Sequence, residues 1–224
     1  MKKKITALLP MKLESVRIPN KNFKNLKEKP LFSWMLDKLL DIKKISNIII
    51  NTDAIEKFHE TPYISNKKII FRERKKELCG NEVSMNKIIA DDLNSIESDI
   101  FFMTHTTNPL LELTSIENAI QFYLDNLHKY DSVFSVNELK ERFYDKNANP
   151  INHDPNNLIP TQNLTPWYRE NSNFYIFTKN SFKETGSRIG FKPFLYTLND
   201  LESVDIDNPS DWDLAEAILL KKDQ

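Results

Sequence analysis

A short apolar run followed by a stretch with apolar residues at helical spacing recurs along the first part of this chain, and few folds accept that order. Strands are expected at Ile5–Leu9, Asn47–Asn51, Lys68–Phe71, Asp99–His105 and Ser132–Val136, because runs this short suit single buried strands. Helices are expected over Leu31–Ile42, Met85–Ile96 and Thr114–Leu127. Their inner sides carry Trp34, Leu36, Leu39 and Leu40, then Ile88, Ile89, Leu93 and Ile96, then Ile116, Ile120, Phe122 and Leu127. Asp53 is read as the cap of a helix after the second strand, and Thr114 as an N-cap. Units of β then α in series predict an α/β fold whose mostly parallel sheet has helices on both faces and right-handed crossovers.

The character changes at Asn137. From there to Arg169 the chain is rich in Asn, Pro and charge, with Pro150, Pro155, Pro160 and Pro166 breaking any long element. A loop this long inside a compact domain implies a task of its own. Phe143, Tyr144, Leu158, Ile159, Trp167 and Tyr168 make it apolar for a solvent-exposed flap, which favours an arm that pairs two chains. Further strands are expected near Glu170–Phe177 and Phe194–Leu198. A last helix, with Ser210 as cap, offers Trp212, Leu214, Ile218 and Leu219. One domain over 1–224 with an inserted arm at 137–169 accounts for the whole pattern.

The loop after the first strand, Pro10-Met11-Lys12-Leu13-Glu14-Ser15-Val16-Arg17-Ile18-Pro19-Asn20-Lys21-Asn22, leaves the sheet where open α/β folds place their ligands. Lys12, Arg17 and Lys21 can meet phosphate oxygens there, and Ser15 and Asn22 can add hydrogen bonds. A solvated Lys-rich connection is the competing reading. Two prolines and several short polar residues among the charges weigh against it. The formal net charge of −1 gives no support to sequence-independent nucleic-acid binding, so an anionic ligand needs a local cluster. Cys79 is the only cysteine, which excludes an intrachain disulfide and a cysteine-built zinc site. No glycine precedes Gly80, against a glycine-rich dinucleotide loop. The Met1-Lys2-Lys3-Lys4 start is like that of a secretory leader, but Ile5–Leu9 is too short an apolar region and runs into Pro10. With no stretch of membrane-spanning length, the chain reads as cytoplasmic with no membrane partner.

At these residues the chain resembles the acylneuraminate cytidylyltransferases, the CMP-sialic acid synthetase family, whose signature is Pro-Ala-Arg-Gly-Gly-Ser-Lys-x-Ile-Pro-x-Lys-Asn. Lys12 falls on the family's arginine, Ser15 on its serine, and Ile18-Pro19-Asn20-Lys21-Asn22 on the end of the motif. Leu13-Glu14 replaces the glycine pair. Glycines let backbone N–H groups approach a phosphate, so this loop must rely on side chains and Glu14 must point away. Thr52-Asp53 is similar to the family's Ser-Thr-Asp. Arg74 matches an arginine that approaches the nucleotide, with a solvated charge run as the other reading. Ser84 matches a serine near the base and could equally cap a helix. His105 stands where the family has a glutamine; it can replace those hydrogen bonds and titrates near neutral pH. Asn171 matches the asparagine of Asn-Gly-Ala-Ile-Tyr, with Ser172 in place of glycine, and could instead be a turn residue. Upstream, Gln162 and Arg169 are candidate partners for a carboxylate.

Near the end lies Asp205-Ile206-Asp207. In a strand, residues two apart share a side, so both carboxylates can converge on one cation. Mg²⁺ suits one or two carboxylates completed by phosphates and water. The resemblance implies an α/β/α three-layer sandwich similar to the nucleotide-diphospho-sugar transferases, and a homodimer. It also implies a reaction of CTP with a 2-keto-3-deoxy sugar acid, giving a CMP-sugar and pyrophosphate. Lys21, Asp205 and Asp207 would be catalytic, the two aspartates also holding Mg²⁺. Lys12, Ser15, Arg17, Asn22, Arg74, Ser84 and His105 would bind the nucleotide, and Gln162, Arg169 and Asn171 the sugar acid. A metal-dependent glycosyltransferase of similar fold and a catalytically silent dimeric scaffold are the alternatives.

Overall fold

The computed structural model describes residues 3–222; Met1 and Lys2, part of the start weighed as a leader, lie outside them. In chain order come β1 (Ile5–Leu8), the ribbon strands β2 (Asn25–Leu26) and β3 (Lys29–Pro30), α1 (Leu31–Asp41), β4 (Ile45–Thr52) and β5 (Ile69–Glu73). Next are α2 (Met85–Ser95), β6 (Ile100–Thr104), α3 (Leu113–Asp125), β7 (Ser132–Leu139) and β8 (Trp167–Thr178). The chain closes with α4 (Lys179–Thr185), β9 (Pro193–Thr197) and α5 (Pro209–Lys222). Seven strands form one sheet in the order β5-β4-β1-β6-β8-β7-β9. Its pairs are parallel except those of β8, which runs antiparallel to β6 and β7.

Alternation along each strand feeds two cores. Ala7, Ile48, Ile50, Phe102 and Ile176 face a layer that includes Phe32, Met35 and Leu39 of α1 and Ile116 and Ile120 of α3. Leu8, Ile49, Phe101, Met103 and Phe177 face the other way, against Ile89 and Leu93 of α2 and Phe182 of α4. Covering both faces explains why the strands read as unbroken apolar runs. Each of the Leu, Ile, Phe and Met side chains contributes about 1.5–3 kcal/mol by leaving water.

β1 lies between β4 and β6, so the chain builds outward on one side and then crosses to the other. The loops after β1 and β6 part at that point and open a crevice at the strands' carboxyl ends. A third cluster sets what closes it. Ile18 of the first loop packs with Leu26, Leu31 and Leu110 against Ile206, Trp212, Ala215 and Leu219. Residues nearly two hundred positions apart in sequence are thereby fixed side by side.

Several sequence expectations change. Asp53 caps no helix; its carboxylate accepts the Leu13 N–H at 2.7 Å, and only a short 3-10 turn, Ile55–Phe58, follows. Thr114 lies inside α3, whose N-cap is Glu112, and the Glu112 N–H donates to the Glu202 carboxylate at 3.1 Å. Ser210 lies inside α5, while Asp211 in its first turn accepts the N–H groups of Asp207 and Asn208 at 3.0 and 2.7 Å. In both cases a carboxylate accepts N–H groups at the entry to the helix, in place of the expected hydroxyl cap, and it also complements the helix dipole. The arm is shorter than 137–169, because β7 and β8 continue as a ribbon pairing Asn137 with Arg169 and Leu139 with Trp167. What remains, 140–166, is tied by an isolated bridge between Tyr144 and Pro150 and by Arg142 donating to the Ile159 carbonyl at 2.7 Å. Among the described residues no helix is long and apolar enough to cross a membrane.

Candidate active site

The crevice holds a cavity of about 390 Å³ whose walls include Lys12, Ser15, Arg17, Lys21, Asn22, Arg74, His105 and Asp207. The structure thus brings together eight of the residues singled out from sequence. Ser84, Asp205, Gln162, Arg169 and Asn171 are not in its wall.

Side chains hold the first loop, in which Leu13-Glu14 replaces the motif's glycine pair. The Asn22 amide donates to the Lys12 carbonyl at 2.7 Å and accepts from the Thr106 hydroxyl at 2.5 Å, so it pins the loop to the end of β6. Asp53 holds the Leu13 N–H, and Lys12 Nζ donates to Asn81 Oδ1 at 2.6 Å. Glu14 is exposed and faces an adjoining cavity of about 410 Å³, away from the first, as its charge requires.

Lys21 is 8% exposed; its Nζ donates to the Ile206 carbonyl at 2.5 Å and lies 3.3 Å from Asp207 Oδ1. Arg17 reaches the same carboxylate oxygen at 2.7 Å. Asp205 and Asp207 do not sit in a strand, which corrects the sequence expectation. Their segment is tied by the Ile206 N–H donating to the Thr107 carbonyl at 2.8 Å, with the Ile206 side chain in the third core cluster between the two acids. Burial, above all, pushes the Asp205 carboxyl up; its hydrogen bond with the Thr107 side chain opposes this, while nearby Asp207 reinforces it. Its Oδ1 is buried with no partner among the described residues. A buried oxygen left unpaired is costly, which suits an atom that gains its partner from a ligand. Among the described residues no group of three or more His, Cys, Asp and Glu side chains could hold a metal. The Asp205 and Asp207 carboxylates offer oxygen donors, the kind that suits a hard cation completed by ligand oxygens and water.

Arg74 is buried, and its setting was invisible in sequence. Its Nε donates to Asn51 Oδ1 at 2.8 Å, and its Nη2 to the carbonyls of Met11 and Asn51 at 3.0 and 2.8 Å. Asn51 in turn donates to Asp92 Oδ1 at 2.7 Å, and Arg72 lies 3.1 Å from the same oxygen. The signal that could have found Asn51 is a polar residue at the carboxyl end of the run Ile48-Ile49-Ile50. Ser84 is the N-cap of α2, its Oγ accepting the Asn86 N–H at 3.3 Å. His105 does not titrate near neutral pH. Burial chiefly, and then the Arg188 charge, hold its pKa at about 4, so the ring is neutral.

The three residues expected at a sugar acid lie elsewhere. Gln162 is exposed on a 3-10 turn of the arm. Arg169, also exposed, donates to Asn137 Oδ1 at 3.3 Å, and the Asn171 amide donates to the same oxygen at 3.1 Å. Ser172 adopts φ 58°, the left-handed conformation that explains a glycine at the matching position of the motif.

A sequence profile for the family described as cytidylyltransferase matches residues 6–223. An Escherichia coli N-acylneuraminate cytidylyltransferase is 26% identical over all of this chain, and a Danio rerio N-acylneuraminate cytidylyltransferase A 28% over 97% of it. The chain spans about half the length of these two relatives, 54% and 51%. A Legionella pneumophila CMP-N,N'-diacetyllegionaminic acid synthase is 26% identical, with 96% of each chain covered. Among solved structures, CMP-2-keto-3-deoxy-manno-octonic acid synthetase in complex with CTP superposes with a TM-score of 0.71 at 13% identity, covering 98% of this chain and 99% of that one. At that identity the likeness concerns the fold.

Proposed function

This chain belongs to the cytidylyltransferase family, and we propose that it transfers CMP from CTP to a 2-keto-3-deoxy sugar acid of the nonulosonic class, releasing pyrophosphate. The observation that carries this reading is the meeting, 3.3 Å apart, of Lys21 from the loop after β1 and Asp207 from the segment before α5. A buried cation, the Asp207 carboxylate and the further cations Lys12, Arg17 and Arg74 around one cavity form a place for a triphosphate. Relatives named for sialic, legionaminic and pseudaminic acids support the substrate class.

In the proposed reaction the sugar's anomeric hydroxyl oxygen attacks the α-phosphorus and the bond to the β-phosphate oxygen breaks in line. Pyrophosphate leaves, and the hydroxyl proton passes to an aspartate or to water. Lys21 offsets charge growing on the phosphate oxygens, the larger part of such catalysis. Asp205 and Asp207 would hold Mg²⁺, which when bound neutralises phosphate charge. Asn22 and Arg74 shape the nucleotide's bed, and neutral His105 offers hydrogen bonds in place of a charge.

The test is steady-state pyrophosphate release with CTP, Mg²⁺ and a panel of nonulosonic acids. Lys21→Met is expected to lower kcat and kcat/KM together by about a hundredfold or more, because it removes an interaction made chiefly in the transition state. Asp207→Ala is expected to abolish turnover with little change in melting temperature, since this half-exposed carboxylate fills no core. A pure rise in KM for CTP in Lys21→Met would reduce Lys21 to a binding residue. Near-wild-type release by Asp207→Ala would refute the metal assignment.

A further inference from the structure

Strand β8 breaks its pairing with β7 beside the cavity. Val136 pairs with Glu170 and Phe134 with Tyr175, so Ser135 alone faces Asn171–Phe174. Such a bulge re-aims the side chains around it. On its other edge, Thr104 of β6 pairs with Phe174 and donates to the Asn173 carbonyl at 2.7 Å. The next residue, His105, lines the cavity. The bulge therefore stands one strand from the cavity wall, roughly 5 Å away.

Four polar groups converge there. The Tyr175 hydroxyl donates to the Glu170 carboxylate, lies 3.3 Å from Ser172 Oγ and accepts from Arg188 Nη2 at 3.0 Å. Arg188 comes from the loop between α4 and β9, and its guanidinium sits 4.0 Å from the centroid of the Tyr175 ring. Tyr175 is the cross-strand partner of Met103, and both pack in the core cluster under α2. From that same helix Met85 and Ile88 reach the cavity wall. Arg188 thus lies on the cavity's side of the sheet, in the direction away from β4 and β5. Its side chain is 20% exposed, and Glu170, its only acidic neighbour in ion-pair range among the described residues, stands 3.7 Å off and is shared with Tyr175. The guanidinium keeps Nε–H and Nη1 donors that make no hydrogen bond to the described residues.

We propose that Arg188 binds the carboxylate of the acid substrate, which would extend from the nucleotide cavity past His105 to the bulge of β8. The inference rests on the transfer reaction proposed above. The tyrosine ring fixes the plane of the guanidinium, and a planar fork with free donors matches a carboxylate. Arg169, the arginine singled out from sequence, is exposed and spends a donor on Asn137. The charge of Arg188 is also felt at His105, as the depressed pKa of that ring records.

The test uses N-acetylneuraminic acid, N,N'-diacetyllegionaminic acid and the methyl ester of the first, with CTP and Mg²⁺ in excess. Wild type is expected to prefer acid over ester by about tenfold or more. In Arg188→Met that preference disappears and KM for the acid rises about ten- to a hundredfold. KM for CTP and the melting temperature stay put, and Arg188→Lys recovers part of the loss. Retention of the acid-over-ester preference in Arg188→Met overturns the proposal. A joint change in melting temperature and both KM values also overturns it, making Arg188 a structural clamp on Tyr175. If wild type binds CTP but turns over none of the acids, the transfer reaction itself falls, an outcome distinct from the other two.

Discussion

Asp92 has no ligand to touch, yet the placing of Arg74 runs through it. Its carboxylate holds Asn51, and Asn51 holds Arg74 at the cavity wall. Burial, more than any neighbour, pushes Asp92 from 3.8 up to about 6; Asn51, Arg72 and Arg74 pull it down and Asp91 pushes it up. A carboxyl whose folded pKa is raised favours the protonated fold. Its ionised form therefore costs stability, from nothing below about pH 4 to roughly 3 kcal/mol above pH 6. Asp92→Asn keeps an acceptor for Asn51 and removes that cost. It should melt above wild type at pH 8, with the gap closing as pH falls through 6 toward 4. A variant less stable than wild type at pH 8 would mean that the Arg72 pair outweighs burial. Lys21 and Asp207, which meet at the cavity, were legible in sequence because each sits in a spaced motif. Asn51, Asp92 and Arg188 were not, because their roles arise only where strands and loops distant in sequence meet.

The strands and long helices were readable because burial on two faces writes apolar runs and burial on one face writes a helical stripe. Their ends were less readable. Helix starts at Glu112 and Pro209 use acidic side chains where sequence reading looked for hydroxyls, one from a distant segment and one from within the helix. The β7–β8 ribbon was hidden because Glu138, Trp167, Tyr168 and Arg169 leave the core and read as loop. That ribbon now serves as the base of the 140–166 arm. Leu158 at 60% exposed and Tyr144 at 53% are apolar surface that the arm cannot bury on itself. An equivalent arm related by a two-fold axis would cover both copies at once. We therefore expect a dimer in sedimentation, and a monomer of low activity when residues 141–165 are deleted. A fully active monomer of the intact chain would make the arm a flap.

Taken whole, the molecule is a sheet whose chain reverses direction of growth at β1, with its two ends locked together over that point. The third core cluster joins Ile18 to Ile206 and Trp212, and Lys24 lies 4.4 Å over the Trp212 ring. That packing holds Lys21 beside Asp207, and the Ile206 carbonyl that accepts from Lys21 Nζ fixes it there. On the function proposed above, this crevice cleaves CTP between its α- and β-phosphates and keeps the α-phosphate on a sugar. Phosphorus-31 spectra of the protein with CTP, Mg²⁺ and a nonulosonic acid test it directly. A new phosphodiester signal should rise in equal amount with pyrophosphate and depend on the acid. Formation of CDP with a phosphorylated sugar, or no change in CTP with any acid of the class, would contradict it.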